Sequence, residues 1–308
     1  MIQVYIASTT FADFNDEPLD FIKSKSFEIF RNELGRKLVE EEIIDSLQNC
    51  EGVIAGTERY SEMVLSALPN LAVISRLGIG LDNIDMVTSK EKGIKVFSTE
   101  TSPAPAVAEL TLGLMLDLLR EISSHNSKMK TGTWQKNMGS LLSGKTLGII
   151  GLGTIGKKLV EITKGLKLNY LAFDKLEDKD FSEQNNVVYC ELNALLERSD
   201  IISIHVSLSN ETIGLIDANA FGMMKPTAII INTSRGECVS EKALQKALAK
   251  QCIAGAGLDV YLSEPYKGSL LKYDNVITTP HIGAYAKEIR LKMEMEAAEN
   301  LIKGLTND

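Results

Sequence analysis

The chain has 308 residues, 44% of them hydrophobic and 24% charged, and carries a net charge of -8 at pH 7. This is the size and composition of a soluble two-domain protein, and the acidic balance excludes the clustered Lys and Arg of a nucleic-acid-binding surface. No apolar run is long enough to cross a bilayer, Met1 to Ala7 lacks the flanks of a signal peptide, and Cys50, Cys190, Cys238 and Cys252 form no CxxC pair, so no membrane association, disulfide framework or metal site is expected and a reducing, cytoplasmic setting fits.

In chain order, short apolar runs alternate with helical patterns. Strands are predicted at Gln3 to Ala7, Phe27 to Phe30, Gly52 to Ala55, Leu71 to Ser75 and Lys95 to Phe97. Helical patterns at Val39 to Gln48, Ser61 to Leu68 and Met86 to Lys92 separate them. This alternation predicts a parallel sheet with helices on both faces. Thr101-Ser102-Pro103-Ala104-Pro105 then opens one long predicted helix, about Ala106 to Lys130, with Ser102 placed to cap it. A second set of strands follows at Thr146 to Ile150, Asn169 to Phe173, Val187 to Tyr189, Asp200 to His205, Ala228 to Asn232, Ala254 to Leu258 and Val276 to Thr278. A last helix is predicted at Lys287 to Leu305.

The most informative stretch begins that second set. The strand Thr146 to Ile150 runs into Gly151-Leu152-Gly153-Thr154-Ile155-Gly156, then a helical segment, then a strand ending at Asp174. Gly151 permits the tight turn, Gly153 lets backbone approach a pyrophosphate, and Gly156 lets helix and strand pack closely. Asp174, eighteen residues past Gly156, can accept hydrogen bonds from ribose hydroxyls and would repel a 2′-phosphate, which favours NAD over NADP. The order and spacing distinguish this stretch from a chance glycine triplet.

Only three histidines can serve as proton donors. His125, among Ser123, Ser124 and Asn126, reads as a solvated helix residue. His205 ends a strand at the carboxyl edge, where cofactor contact and simple packing are equally open. His281 follows the last strand on a loop at that edge, where function outweighs core duty. Arg235 follows the strand ending at Asn232, and its planar fork suits a carboxylate, with a structural ion pair as the plain alternative. Glu264 precedes Pro265 beyond the strand ending at Leu258. Placed beside His281, its carboxylate would stabilise the protonated imidazole and fix its tautomer.

These motifs resemble the D-isomer-specific 2-hydroxyacid dehydrogenase family, and within it the phosphoglycerate dehydrogenases. The resemblance is carried by the run Ser75 to Asp85, the Gly151 to Gly156 turn with Asp174, Asn232 to Gly236, Gly257 to Val260, Glu264-Pro265, and Pro280 to Ala284, in the family's order over most of the chain. It implies two doubly wound parallel-sheet α/β domains, a Rossmann-type cofactor domain (99–284) inserted in a flavodoxin-like substrate domain (1–98 and 285–308). It implies that Arg235, Glu264 and His281 form a catalytic triad. Thr154 and Ile155 are then expected at the pyrophosphate, Asp259 at the nicotinamide carboxamide, and Thr233, Ser234, Gly283 and Ala284 along the cofactor. Gly78, Ile79 and Gly80, with Arg76, are expected to hold the substrate carboxylate. A homodimer is implied, built on the long helix, with Trp134 in the arm beyond it.

The implied reaction is reversible hydride transfer between NAD and a small D-2-hydroxy acid. 3-Phosphoglycerate is the first expectation for the substrate, with glyoxylate or hydroxypyruvate next. Two departures bear on that choice: Gly56 stands where many phosphoglycerate dehydrogenases have a basic residue, and Ile79 where Thr is common. A corepressor-type scaffold that keeps the triad is a rival of a different class, disfavoured by the lack of long disordered tails. A formate-type dehydrogenase is disfavoured by Glu264.

Overall fold

The computed structural model describes residues 1–306, which form two compact units, one of Met1–Pro103 with the chain from Tyr285 onward, the other of Ala104–Ala284. The segment 99–103, expected with the second unit, clusters with the first. There the Glu296 carboxylate accepts the backbone N–H of Glu100 and that of Thr101, the latter at 3.0 Å.

The first unit holds a five-stranded parallel sheet in the order β2-β1-β3-β4-β5, formed by β1 (Gln3–Ile6), β2 (Glu28–Arg31), β3 (Gly52–Ala55), β4 (Val73–Arg76) and β5 (Lys95–Ser98). This is the flavodoxin-like order. Its helices are α1 (Glu17–Lys23), α2 (Glu40–Leu47), α3 (Glu62–Ser66) and α4 (Met86–Glu91), joined by the last helix, α12 (Lys287–Thr306). β3 and β4 are buried along their whole length, as strands covered on both faces must be. α1 has no counterpart in the sequence prediction, although Asp16 and Pro18 mark its start.

The second unit opens with a correction. The single long helix expected over Ala106 to Lys130 is two, α5 (Ala104–Arg120) and α6 (Ile122–Lys130). Glu121 between them is left-handed at φ 52, and the Asp117 carboxylate accepts the Ser123 N–H at 2.7 Å, starting a new helix. The seven-stranded parallel sheet is built from β6 (Thr146–Ile150), β7 (Asn169–Phe173), β8 (Val187–Tyr189), β9 (Ile201–Ile204), β10 (Ile229–Asn232), β11 (Gly255–Leu258) and β12 (Val276–Thr278). Helices α7 (Thr154–Thr163), α8 (Lys179–Asn185), α9 (Leu192–Arg198), α10 (Ala218–Met223) and α11 (Glu241–Ala249) connect them.

The strand order is β12-β11-β10-β9-β6-β7-β8, a doubly wound sheet whose direction of winding reverses between β6 and β9. Two apolar cores cover its faces. The central run Ile229-Ile230-Ile231 is at most 4% exposed, and burying each such side chain stabilises the unit by about 1.5–3 kcal/mol.

Candidate active site

Pairing aligns Phe173, Ile150, Ile204, Asn232, Leu258 and Thr278 in one row across six strands of the second unit. The next residue on each strand is therefore Asp174, Gly151, His205, Thr233, Asp259 and Thr279, in spatial order. Neighbouring strands lie about 4.8 Å apart, so these residues and the loops behind them form one continuous carboxyl edge. Arg235, Glu264 and His281 follow β10, β11 and β12, three strands adjacent in the sheet. Distant in sequence, they emerge side by side because parallel strands end together.

His281 Nδ1 lies 3.0 and 3.1 Å from the two carboxylate oxygens of Glu264. Only an Nδ1–H can satisfy both contacts, so the neutral ring keeps its proton on Nδ1 and leaves Nε2 free to accept. His281 is left-handed at φ 55, a conformation that costs a non-glycine residue about 1–3 kcal/mol and accompanies functional constraint. Asp259 holds it there. Its Oδ1 accepts the Thr279 hydroxyl at 2.6 Å and the Ile282 N–H at 2.8 Å, and its Oδ2 accepts the Gly283 N–H at 2.8 Å. Burial raises the Asp259 pKa, against the lowering effect of these hydrogen bonds. The family resemblance implies Asp259 at the nicotinamide carboxamide. The structure adds its work as clamp of the His281 loop, and Oδ2 keeps a lone pair for a further donor.

The Arg235 loop is knitted by Asn232. Its side-chain amide donates to the Arg235 carbonyl at 2.8 Å, and its oxygen accepts the Ser234 N–H and hydroxyl at 3.1 and 2.9 Å. The Thr233 hydroxyl meets that of Thr111 on α5 at 3.1 Å. The Arg235 guanidinium donates to the Ser234 carbonyl at 2.8 Å.

At the point where winding reverses, the dinucleotide turn has the properties a cofactor requires. Gly151 has φ 93, and a Cβ there would fall 2.9 Å from the His205 main chain. A Cβ on Gly156 would fall 2.5 Å from the Gly151 carbonyl oxygen. Gly153 caps the ten-residue α7 with no side chain over its first N–H groups, and a Cβ there would meet nothing within 4 Å. Gly153 and Thr154 are exposed and Ile155 is half-buried. Asp174 accepts the Leu152 N–H at 2.7 Å and the Leu176 N–H at 3.0 Å, so it fixes the turn while keeping lone pairs for ribose hydroxyls. These residues fit an NAD molecule, whose pyrophosphate would be held at the α7 N-terminus. Gly283 is buried and Ala284 half-buried, just past the His281 turn.

His205 Nε2 pairs with the Ser203 hydroxyl at 2.8 Å, and its Nδ1 is shielded without a partner among the described residues. Burial holds this imidazole down at about 4. His125, expected to be solvated, is an anchor: Nδ1 donates to the Glu121 carbonyl at 2.7 Å and Nε2 accepts the Asn137 N–H at 3.0 Å. Both partners lie in the arm beyond or the break before it, which the local sequence does not reveal.

In the first unit, Arg76, Gly78, Ile79 and Gly80 lie at the end of β4 and just after it. Arg76 is 7% exposed and its guanidinium donates to the Leu77 carbonyl. The segment is tied to the loop after β3: Leu77 N–H donates to the Ala55 carbonyl at 2.9 Å, and Asn83 Nδ2 to the Gly56 and Glu58 carbonyls at 3.3 and 2.6 Å. That loop carries a buried carboxylate. Glu58, 3% exposed, accepts the Gly56 N–H at 2.6 Å and the Tyr60 hydroxyl at 3.0 Å. Among the described residues no cluster of three His, Cys, Asp or Glu could hold a metal ion, and no helix is long and apolar enough to cross a membrane.

Comparison with known proteins gives this geometry a context. The profile of the D-isomer specific 2-hydroxyacid dehydrogenase NAD binding domain matches residues 112–283. A D-3-phosphoglycerate dehydrogenase of Archaeoglobus fulgidus is 36% identical over 94% of this chain and 56% of its own length. A hydroxypyruvate reductase of Thermotoga maritima is 38% identical over 82% of this chain and 84% of its own. The chain thus spans about half the length of the first and most of the second. The crystal structure of a phosphoglycerate oxidoreductase from Vibrio cholerae superposes with a TM-score of 0.88, at 26% identity and complete coverage of both chains.

Proposed function

Because the chain belongs to the D-isomer specific 2-hydroxyacid dehydrogenases, a family of NAD-dependent oxidoreductases, we propose that it interconverts a small D-2-hydroxy acid and its 2-keto acid. The observation that carries this reading is the His281–Glu264 pair beside the Arg235 loop, on the same sheet edge as the dinucleotide turn. NAD, when bound, supplies the hydride acceptor, and NADH the donor. Gly151, Gly153, Thr154, Ile155, Gly156 and Asp174 would hold its adenosine and pyrophosphate. Thr233, Ser234, Asp259, Gly283 and Ala284 would line the remainder.

The Arg235 guanidinium binds the substrate carboxylate through its two parallel N–H groups. In oxidation, His281 Nε2 takes the proton from the C2 hydroxyl, and the charge that develops on the ring is stabilised by Glu264 at Nδ1. In reduction the same nitrogen returns that proton to the C2 oxygen. Within the first unit, Arg76, Gly78, Ile79 and Gly80 are the residues suited to hold a carboxylate.

The substrate end of the first unit supports an unphosphorylated acid, hydroxypyruvate or glyoxylate, over 3-phosphoglycerate. The loop beside the Leu77–Gly80 segment presents the fixed carboxylate of Glu58. Arg59, the cation nearest to it in sequence, is 76% exposed and lies 3.7 Å from Glu40. A phosphate dianion there would be repelled by Glu58, and beyond Arg76, which the carboxylate itself would claim, Arg59 supplies no fixed counter-charge. The similarity to a D-3-phosphoglycerate dehydrogenase keeps the phosphorylated acid as the second reading.

The test is NADH oxidation across phosphohydroxypyruvate, hydroxypyruvate, glyoxylate, pyruvate and 2-oxoglutarate. Hydroxypyruvate or glyoxylate should have the highest kcat/KM. Preference for phosphohydroxypyruvate would reverse the substrate assignment, and oxidation with none of them would end the dehydrogenase reading.

Assembly as a homodimer belongs to the same proposal. It is supported by apolar side chains exposed on α6 and the arm after it: Ile122 (55%), Trp134 (79%), Met138 (96%) and Leu141 (73%). A monomeric mass by analytical ultracentrifugation would remove it. The four free cysteines support a reducing, cytoplasmic compartment.

A further inference from the structure

All three loops of the proposed site touch one residue that no motif singles out, Tyr261. Its backbone N–H donates to Glu264 Oε1 at 3.3 Å. Its hydroxyl lies 2.9 Å from the Leu258 carbonyl and 3.0 Å from the Thr279 carbonyl, a donor shared between two acceptors. The Thr279 oxygen also accepts the His281 N–H at 3.1 Å. The phenol therefore braces the turn in which His281 takes its left-handed backbone. From the other side comes Gly236, next to Arg235, packed so tightly that a Cβ on it would overlap the Tyr261 carbonyl carbon.

The ring itself is held in place. It stacks on Tyr266 with centroids 4.3 Å apart and planes 17° apart, and the Tyr266 hydroxyl donates to Glu241 of α11 at 2.7 Å. Burial, with Asp259 nearby, raises the Tyr261 phenol well above its ordinary value, so it remains a donor at all working pH values. A phenylalanine would fill the same space. What the hydroxyl adds is a tie between the end of β11 and the His281 turn.

We propose that Tyr261 is a positioning residue whose hydroxyl and main chain set the mutual placement of Arg235, Glu264 and His281, and so the direction in which the imidazole offers Nε2 to the substrate oxygen. The catalytic part of this statement rests on the dehydrogenase reading; the geometric part does not.

The decisive variant is Tyr261→Phe in the full chain, which removes one oxygen and leaves the stacked ring. With the best keto acid from the panel, kcat should fall about tenfold, the effect of losing one buried hydrogen bond at a reacting group. KM and NADH affinity, read by nucleotide fluorescence, should stay within about twofold of wild type, as expected for an interaction felt in the transition state alone. Nitrogen-15 spectra of the three histidines provide a readout independent of turnover, with the His281 signals assigned by their loss in His281→Gln. In wild type the neutral ring should carry its proton on Nδ1, and in Tyr261→Phe the two tautomers should mix.

Unchanged kcat and an unchanged tautomer, even with a lowered Tm, would reduce Tyr261 to a packing residue and overturn the proposal. If wild type oxidises NADH with no acid, the dehydrogenase reading fails and the spectra alone decide. Mixed tautomers would then uphold the positioning role, and identical spectra would end it.

Discussion

The two sheets of this protein end differently. In the seven-stranded sheet, the residues just past the aligned strand ends are Asp174, Gly151, His205, Thr233, Asp259 and Thr279. Each is a polar or ionisable group or a glycine that admits close approach. In the five-stranded sheet, the row level with its ends is Asn32, Ala7, Ala55, Arg76 and Ser98, the last three being the final residues of β3, β4 and β5, with Arg76 its one charged side chain. Both units are doubly wound and parallel, so the architecture alone does not decide where chemistry goes. One unit concentrates proton-handling groups at its carboxyl edge. The other offers a guanidinium, a glycine-containing turn and a buried carboxylate, the groups to which the proposed function gives substrate selection.

The largest expected effect tests that contrast directly. His281→Ala should lower turnover by about 10²–10⁴-fold, the usual worth of a general acid or base, with NADH affinity retained. Steady-state kinetics showing wild-type turnover would move the proton chemistry elsewhere.

Next in size is a pH effect confined to the same sheet edge. The folded His205 imidazole sits at about 4, below its ordinary 6.5. As pH falls from about 6.5 to about 4 the unfolded chain takes up this proton and the folded chain does not, so stability is lost across that window. The loss approaches about 3 kcal/mol in all, at about 1.4 kcal/mol per pH unit. Urea unfolding of His205→Gln at a series of pH values should give a visibly shallower slope there. Parallel curves for variant and wild type would mean that the native ring protonates as readily as the unfolded one.

The smallest effect probes the first unit. Arg76→Lys keeps the charge but loses the planar fork, and should raise the keto-acid KM about tenfold without altering NADH binding. A variant with weakened NADH binding and unchanged KM would erase the division of labour between the sheets.

Much of this was legible in the sequence because the signals are local. The strand ending at Ile150, the glycine turn and Asp174 lie within one stretch, and strand ends could be read from where Ile231-Asn232 or Gly257-Leu258 gives way to polar residues. The pairing of His281 with Glu264 was implied by the family resemblance, and their places after neighbouring strands accord with it. What escaped was set by partners remote in sequence or by backbone geometry. The helix break at Glu121 depends on a left-handed residue that nothing in its neighbours demands. Asp259 as a loop clamp depends on three donors some twenty residues away. The anchoring of His125 depends on Asn137. Tyr261 looked like any aromatic after a strand, and only the distances from its hydroxyl to two carbonyls distinguish it.

One consequence of the chain's path concerns its synthesis. Helix α12 completes the core begun by the first hundred residues: Ser75 Oγ donates to the Ala297 carbonyl at 2.7 Å, Lys95 Nζ to the Gly304 carbonyl at 2.9 Å, and Leu301 is wholly buried. A ribosome adding about 5–20 residues each second takes on the order of 10–40 s to travel from the end of β5 to that helix. For that interval the nascent five-stranded sheet has one apolar flank open to water, so the opening segment of the polypeptide is the part whose maturation waits longest, and the part with most to gain from a chaperone.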